Sequence, residues 1–123
     1  MATRNKYKSK WEQTVADQLK SLKLPVRYEP FSFTYTIPES EHKYTPDFHV
    51  ADGVYIEAKG KFDAQDRKKH LLIKKQYPHI KLILLFQNAN QRISKRSNTT
   101  YGDWCTKNEI KWCHRVLSTK DLK

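Results

Sequence analysis

Hydrophobic residues in the first half of the chain follow two different spacings. Over residues 10–22 they recur at every third or fourth position, which predicts an amphipathic helix. Over residues 31–37 they alternate with serine and threonine, which predicts a half-buried strand. Residues 47–50 and 54–59 are two further β-rich segments, and the Asp52-Gly53 pair between them is typical of a tight turn, so we expect a hairpin.

The second half of the chain alternates between helical and strand segments. Four elements are predicted, in the order helix, strand, helix and strand: 63–76, 80–86, 99–107 and 110–113. The helix begins at Asp63 or Asp66, whose side chains can cap it, and the first strand is a continuous apolar run typical of an interior strand. Two polar segments are expected to be a connector and a basic loop: 39–43 and 88–98. The order α-β-β-β-α-β-α-β predicts one mixed α/β domain.

The charge of the chain points to a polyanionic partner. A total of 24 Lys and Arg against 13 Asp and Glu gives a net charge of +11, and the field around such a protein attracts nucleic acid first and anionic membranes second. No segment has the ~18 apolar residues of a spanning helix or the apolar run of a signal peptide, so we expect a cytoplasmic protein with no membrane partner. Cys105 and Cys113 form neither a disulfide framework nor a CxxC motif and are expected to be buried free thiols.

Acidic residues are concentrated in one part of this basic chain. Residues 67–102 carry nine Lys or Arg and no acid, whereas residues 39–57 carry five acids and one base. Carboxylates beside a bound phosphate would repel it unless a divalent cation lay between them. The cluster is explained either by a metal site or by a loop that only reduces the net charge.

The residues with the clearest chemistry lie at the predicted hairpin. Asp47 opens its first strand and Glu57 lies near the end of its second, so the turn can bring both carboxylates to one end of the sheet. The backbone carbonyl of Ala58 adds a third hard oxygen, and this set suits Mg²⁺ or Mn²⁺. Lys59 projects from the same face of the strand as Glu57, where it could orient a water molecule or offset charge in a phosphoryl transition state. A surface hairpin with an ordinary Glu/Lys pair is the alternative.

These residues resemble known nucleases. Pro46-Asp47, the hairpin and Glu57-x-Lys59 resemble the PD-(D/E)XK nuclease motif, and further matches as far as about Trp112 are similar to the phage-type endonuclease I family of Holliday junction resolvases. The matched segments are Tyr44-Thr45-Pro46-Asp47-Phe48, Glu57-x-Lys59-Gly60, residues 66–73, Tyr101-Gly102 with Cys105, and Ile110-Lys111. The resemblance implies a restriction-endonuclease-like core, with a central mixed β-sheet flanked by helices.

The resemblance also assigns site residues. The family's metal ligands correspond to Asp47 and Glu57, its catalytic lysine to Lys59, and a further catalytic glutamate to Glu12 in the first helix. Glu12 has a structural alternative, because residues 9–12 form a capping-box pattern in which Glu12 bonds the amide of Ser9. The two roles can conflict, since a carboxylate bonded to its own helix start is less free to face a metal site.

The resemblance also implies an activity, a cofactor and an oligomeric state for this chain. The resemblance implies a structure-selective endonuclease that resolves branched DNA by paired nicks and leaves 5′-phosphate and 3′-hydroxyl ends, with two Mg²⁺ ions per site (Mn²⁺ substituting) and no small-molecule cofactor. It also implies a domain-swapped homodimer with composite active sites, in which residues 38–45 bridge the exchanged lobes. Two alternatives stay open: a nuclease of the same motif acting on specific or mismatched duplex DNA, and a non-catalytic basic nucleic-acid-binding protein.

Basic residues outside the hairpin are candidate DNA contacts. The assigned side chains are Lys8, Lys10, Arg67, Lys68, Lys69, His70, Arg92, Lys95 and Arg96. Those at the start of the second helix could bind phosphate near the helix N-terminus, although a solvated basic face would give the same pattern. His70 is expected to contact phosphate or solvent, and a place in the core is the alternative. We expect recognition through shape and phosphates rather than through bases.

Overall fold

The computed structural model describes residues 6–37 and 40–123. Its elements, in chain order, are α1 (Lys10–Ser21), β1 (Arg27–Tyr28), β2 (Phe33–Ile37), β3 (Ser40–Tyr44), β4 (Phe48–Ala51), β5 (Val54–Lys59), α2 (Ala64–Gln76), β6 (Lys81–Phe86), α3 (Tyr101–Lys107), β7 (Lys111–His114) and a 3₁₀ turn (Thr119–Leu122). All the helices and strands that the sequence predicts are present. The strands β1 and β3 and the 3₁₀ turn were not predicted.

The main sheet has five strands in the order β1-β4-β5-β6-β7. The pairs β1–β4 and β4–β5 are antiparallel, whereas β6 runs parallel to both β5 and β7. The predicted hairpin is confirmed: Ala51 pairs with Val54 across the turn, and Gly53 has a φ of +70°, which glycine adopts without steric cost. The expected central mixed sheet is therefore confirmed.

Helices cover both faces of this sheet, and alternate residues of β6 pack against the helices on its two sides. Its residues Ile83 and Leu85 pack into the apolar cluster that includes Val15 and Leu19 of α1. The intervening Leu84 and Phe86 pack into the cluster formed with α3. A strand that is buried on both sides has no polar face, which is why its sequence is a continuous apolar run.

The strands β2 and β3 form a separate two-stranded antiparallel sheet. The prediction of a polar connector over residues 39–43 is wrong for Ser40–Lys43, which are strand; Pro38 and Glu39, also part of the expected bridge, lie outside the described residues. Residues 40–43 are exposed, so backbone pairing to β2 holds them in place rather than burial, and their sequence carries no apolar alternation. Only Tyr44 at the end of β3 is buried, in a cluster with Ile73 of α2.

The remaining local features agree with the sequence. Asp63 caps α2 by accepting a hydrogen bond from the Asp66 N–H at 2.9 Å. Cys105 and Cys113 are buried free thiols, as predicted, and burial raises the pKa of each to about 12. Within the described parts of the chain, no helix is long and apolar enough to cross a membrane.

Candidate active site

The β4–β5 hairpin brings Asp47 and Glu57 together. Because Phe48 pairs with Ile56, Asp47 just before β4 lies beside Glu57 in β5. The Asp47 N–H donates to Glu57 Oε1 at 3.2 Å, and the Ala58 N–H donates to Asp47 Oδ2 at 2.9 Å. Both carboxyl groups are buried. The expected meeting of the two carboxylates at one end of the sheet is confirmed.

Lys59 lies on the same face as Glu57, as the strand period predicts. Its Nζ is 3.7 Å from Glu57 Oε2 and 3.4 Å from Asp66 Oδ1. Asp66 was expected only as a helix start, so its contact with Lys59 is an addition to the site. The sequence signal for it is an acidic residue in the first turn of the helix that follows the Glu-x-Lys strand.

Glu12 faces this site from α1 of the same chain. Ser9 caps α1 by accepting a hydrogen bond from the Glu12 N–H at 3.0 Å. The Glu12 carboxylate does not complete the capping box; its Oε1 accepts hydrogen bonds from the Lys8 N–H and the Tyr28 hydroxyl, each at 2.8 Å. The carboxyl group also lies near that of Asp47 and contributes to raising the pKa of Asp47. The expected bond to the Ser9 amide is therefore absent, but the carboxylate is still tied to the start of its own helix through the Lys8 N–H.

The crowding of buried carboxyl groups changes their acidity. Burial, the charge of Glu57 and the neighbouring Glu12 carboxyl group together raise the pKa of Asp47 to about 8. Burial also raises the pKa of Glu57, although the ammonium of Lys59 and the Tyr44 hydroxyl oppose that shift. Carboxyl groups held so close that they resist ionisation favour a cation between them.

The donor set at the hairpin fits a hard divalent ion. Asp47 and Glu57 supply carboxylate oxygens, and the neighbouring Ala58 supplies its carbonyl, the chemistry that Mg²⁺ and Mn²⁺ prefer. Across residues 6–37 and 40–123, no group of three or more His, Cys, Asp or Glu side chains could by itself hold a metal ion. An ion here would take its remaining ligands from water or phosphate, as Mg²⁺ commonly does.

Two tyrosines at the site escaped the sequence analysis. The Tyr44 hydroxyl donates to Glu57 Oε1 at 2.8 Å, and the Tyr28 hydroxyl donates to Glu12 Oε1. Tyr44 belongs to the matched run that includes Pro46-Asp47, so its position in the sequence offered a signal. Tyr28 lies in the two-residue strand β1, where nothing in the sequence pattern marks it.

The candidate DNA contacts occupy different environments. Lys8, Lys10, Lys68, Arg92, Lys95 and Arg96 are exposed. Arg67 and Lys69 are partly buried: Arg67 donates to the Phe62 carbonyl at 2.8 Å, and the Lys69 ammonium lies 3.7 Å from Asp66 Oδ1. Lys69 is therefore held beside the site through Asp66, which also contacts Lys59, whereas Arg67 is held at the start of α2.

His70 is the one member of this set that the structure turns inward. Only 2% of its surface is exposed, and its ring packs against Tyr44 and Phe62. The expectation of contact with phosphate or solvent is wrong, because the ring lies on the buried side of α2; the alternative of a core histidine is confirmed. Burial, with Lys59 and Lys69 nearby, lowers the pKa of His70 well below its usual range.

Comparison with known proteins places this arrangement among nucleases. Residues 1–123 match the family model of phage endonuclease I. The chain is 40% identical over 117 residues to Endodeoxyribonuclease 1 of Enterobacteria phage T3, an alignment that covers 95% of this chain and 77% of that protein. It is 37% identical over 117 residues to Endonuclease I of Escherichia phage T7, covering 95% and 78% of the two chains. The family match includes both the first helix and the hairpin.

Proposed function

Because the chain belongs to the phage endonuclease I family, we propose that it is a divalent-metal-dependent endodeoxyribonuclease that resolves four-way DNA junctions by paired nicks. The observation that carries the proposal is the meeting of three groups at one hairpin: Asp47 and Glu57 are linked by a hydrogen bond, and Lys59 Nζ lies 3.7 Å from Glu57 Oε2. Relatives named as an endodeoxyribonuclease and an endonuclease of phages support the activity and a place of action in the infected host's cytoplasm.

The metal would be held by Asp47, Glu57 and the Ala58 carbonyl. When bound, Mg²⁺ or Mn²⁺, two ions per site, supplies Lewis-acid stabilisation of the phosphate oxygens and makes water more acidic. The protein's own residues then have distinct tasks. Glu12, which lies near Asp47, would accept a proton from the attacking water. Lys59, whose Nζ lies 3.7 Å from Glu57 Oε2, would stabilise the negative charge that develops on the phosphate.

Cleavage in this scheme adds water to phosphorus and breaks the bond between phosphorus and the 3′ oxygen. The products are a 5′-phosphate and a 3′-hydroxyl. Burial of Asp47, Glu57 and Lys59 excludes bulk water and strengthens each electrostatic interaction. A DNA ligase that seals the nicks without further treatment would confirm these ends, and nicks that resist ligation would contradict them.

Branched DNA would approach through the basic surface. A body with a net charge of +11 attracts phosphates over its whole surface. The basic loop with Arg92, Lys95 and Arg96 is exposed and free of acids. The buried carboxyl groups of Asp47 and Glu57 within this basic body are the arrangement expected when a cation separates carboxylates from phosphate.

A homodimer would supply the two nicks that a junction needs. A four-way junction has approximate two-fold symmetry, which a C₂ dimer with two sites matches. Glu12 lies beside Asp47 within one chain here. Exchange of the segment from α1 through β2 between protomers would keep the same contacts but draw Glu12 from the partner. Residues 38–45 would be the bridge, and β3 within it would then pair with the partner's β2.

A mixed dimer separates the two arrangements. One chain would carry Glu12→Ala and the other Asp47→Ala. With composite sites, one site of this dimer keeps both residues and nicks the junction once. With sites built within each chain, both sites are damaged, so complete loss of nicking in an intact mixed dimer would contradict exchange.

The central assay compares DNA substrates. Purified protein would be incubated with a four-way junction and with its component duplexes, in Mg²⁺ and in EDTA. We expect Mg²⁺-dependent nicking of the junction and little cleavage of the duplexes. Equal cleavage of a specific or mismatched duplex would favour a duplex nuclease, and binding without cleavage would favour a non-catalytic DNA-binding protein.

A further inference from the structure

We propose that Tyr44 is a positioning residue whose hydroxyl fixes the orientation of Glu57 and thereby sets the affinity of the site for divalent ions. The inference rests on the proposed metal-dependent function. It concerns a residue outside the assigned catalytic set, on a different sheet from the hairpin that carries the carboxylates.

The two carboxylate oxygens of Glu57 have different partners. Oε1 accepts from the Tyr44 hydroxyl at 2.8 Å and from the Asp47 N–H at 3.2 Å. Oε2 faces Lys59 Nζ at 3.7 Å. The two donors therefore hold Oε1 in place, and rotation of the carboxylate would break both bonds. Oε2 is left as the oxygen that the protein presents beside Lys59.

The ring of Tyr44 is locked by its surroundings. Its exposed fraction is 4%, and it belongs to the cluster formed with Ile73 of α2. The His70 ring meets it edge-on at 5.5 Å between centroids, and the Lys69 ammonium lies 5.4 Å from its centroid. A phenol packed in this way delivers its hydroxyl to one point, which is the condition for orienting a ligand.

The bond also joins two parts of the fold. Tyr44 is the last residue of β3 and pairs with Phe33 of β2, whereas Glu57 lies in the five-stranded sheet. Partners that orient a ligating carboxylate commonly change metal affinity or activity by about 10–100-fold when they are removed. Through this hydrogen bond, the small β2–β3 sheet contacts a proposed metal ligand directly.

The chain offers a matched control. Tyr35 lies on β2, has an exposed fraction of 7% and belongs to the same apolar cluster as Tyr44. Its ring stacks on that of His42, with 5.6 Å between the ring centroids, in the sheet formed by β2 and β3. Tyr35→Phe removes one hydroxyl from the same cluster and so measures the general effect of such a change.

The test measures ion binding without DNA. Calorimetric titration of the metal-free full chain with Mn²⁺ would compare the wild type, Tyr44→Phe, Tyr35→Phe and Glu57→Gln, with melting temperatures recorded in EDTA. We expect Tyr44→Phe to weaken Mn²⁺ binding by about 10-fold, while Tyr35→Phe binds as the wild type does. At saturating Mg²⁺ the nicking rate of Tyr44→Phe should return to within about 3-fold of the wild type, because its catalytic groups are intact.

A double-mutant cycle separates orientation from general destabilisation. In the Glu57→Gln background, adding Tyr44→Phe should cause little further loss of Mn²⁺ affinity, because the two residues act through one interaction. Unchanged Mn²⁺ affinity in Tyr44→Phe, with a wild type that binds the ion and cleaves, would overturn this inference alone. A wild type that binds no divalent ion and nicks junctions equally well in EDTA would overturn it together with the proposed function.

Discussion

The carboxyl group of Glu12 lies close enough to that of Asp47 to raise the pKa of Asp47, although three strands separate α1 from β4 along the chain. The pair is buried and lies beside a third carboxyl group, that of Glu57. As a result the pKa of Asp47 rises to about 8, so Asp47 keeps its proton near neutral pH when no cation is bound. A site built in this way trades stability of the metal-free fold for affinity toward a cation.

Asp47→Asn should raise the melting temperature of the metal-free protein and abolish cleavage. The folded state holds a proton on Asp47 up to a pKa of about 8, against a usual value of 3.8, so wild-type stability falls as pH rises between those values. The amide does not titrate, so the variant's advantage should grow from pH 5 to pH 8, reaching about 3 °C or more. Thermal melts in EDTA would check this, and a pH-independent difference would contradict it.

Lys59→Gln should lower the nicking rate by about 100-fold or more, because the ammonium near the reacting phosphate is lost. Junction affinity measured in EDTA should change by less than about 3-fold, since one buried cation contributes little to the total phosphate attraction. Lys61→Gln, an exposed change two residues away, is the control and should nick normally. Loss of binding that matches the loss of nicking would place Lys59 in DNA binding instead.

His70→Leu should leave junction affinity unchanged and keep or raise stability at neutral pH. Both ring nitrogens of His70 are buried and lack a hydrogen-bond partner within the described residues, so an apolar side chain removes an unsatisfied group. Because the pKa of His70 is lowered, wild-type stability is lost as pH falls below about 6.5. The variant should lack that loss in thermal melts at pH 5–7. A marked drop in junction affinity would instead support the original prediction that His70 contacts DNA.

Replacing Arg92, Lys95 and Arg96 together by Ala should weaken junction binding and flatten its salt dependence. For the wild type we expect an affinity loss of about a thousand-fold or more between 50 and 200 mM salt if ~6 or more phosphates are contacted. Each lost phosphate contact should reduce the logarithmic slope by about 0.9. Lys20→Ala, at the exposed end of α1, is the control. A slope equal to that of the wild type would show that the loop with Arg92, Lys95 and Arg96 does not contact the DNA phosphates.

Gly102→Ala should destabilise the fold by about 1–3 kcal/mol, because a methyl group there would overpack the core. A Cβ at Gly102 would lie 2.6 Å from the Trp112 ring, whereas one at Gly60 would meet only Gln87, at 4.0 Å. Denaturant unfolding of the metal-free protein would compare the two substitutions. Equal stability of Gly102→Ala and Gly60→Ala would mean that the indole moves aside without cost.

The sequence by itself determined the features that depend on neighbours along the chain. Periodicity specified the helices and the longer strands, and Asp52-Gly53 specified the hairpin. The strand period also determined that Lys59 shares a face with Glu57. The turn by itself would set Asp47 opposite Ala58; a register shift between His49 and Ala51, which the sequence pattern does not mark, brings Asp47 beside Glu57 instead.

Only the tertiary structure decided contacts between distant elements. Tyr28 and Tyr44 reach the carboxylates from strands outside the hairpin, and Ser40–Tyr44 forms a strand through pairing rather than through its own pattern. The inward place of His70 likewise depends on how α2 packs against the rings of Tyr44 and Phe62. Such contacts depend on which faces of separate elements meet, and local spacing does not encode that choice.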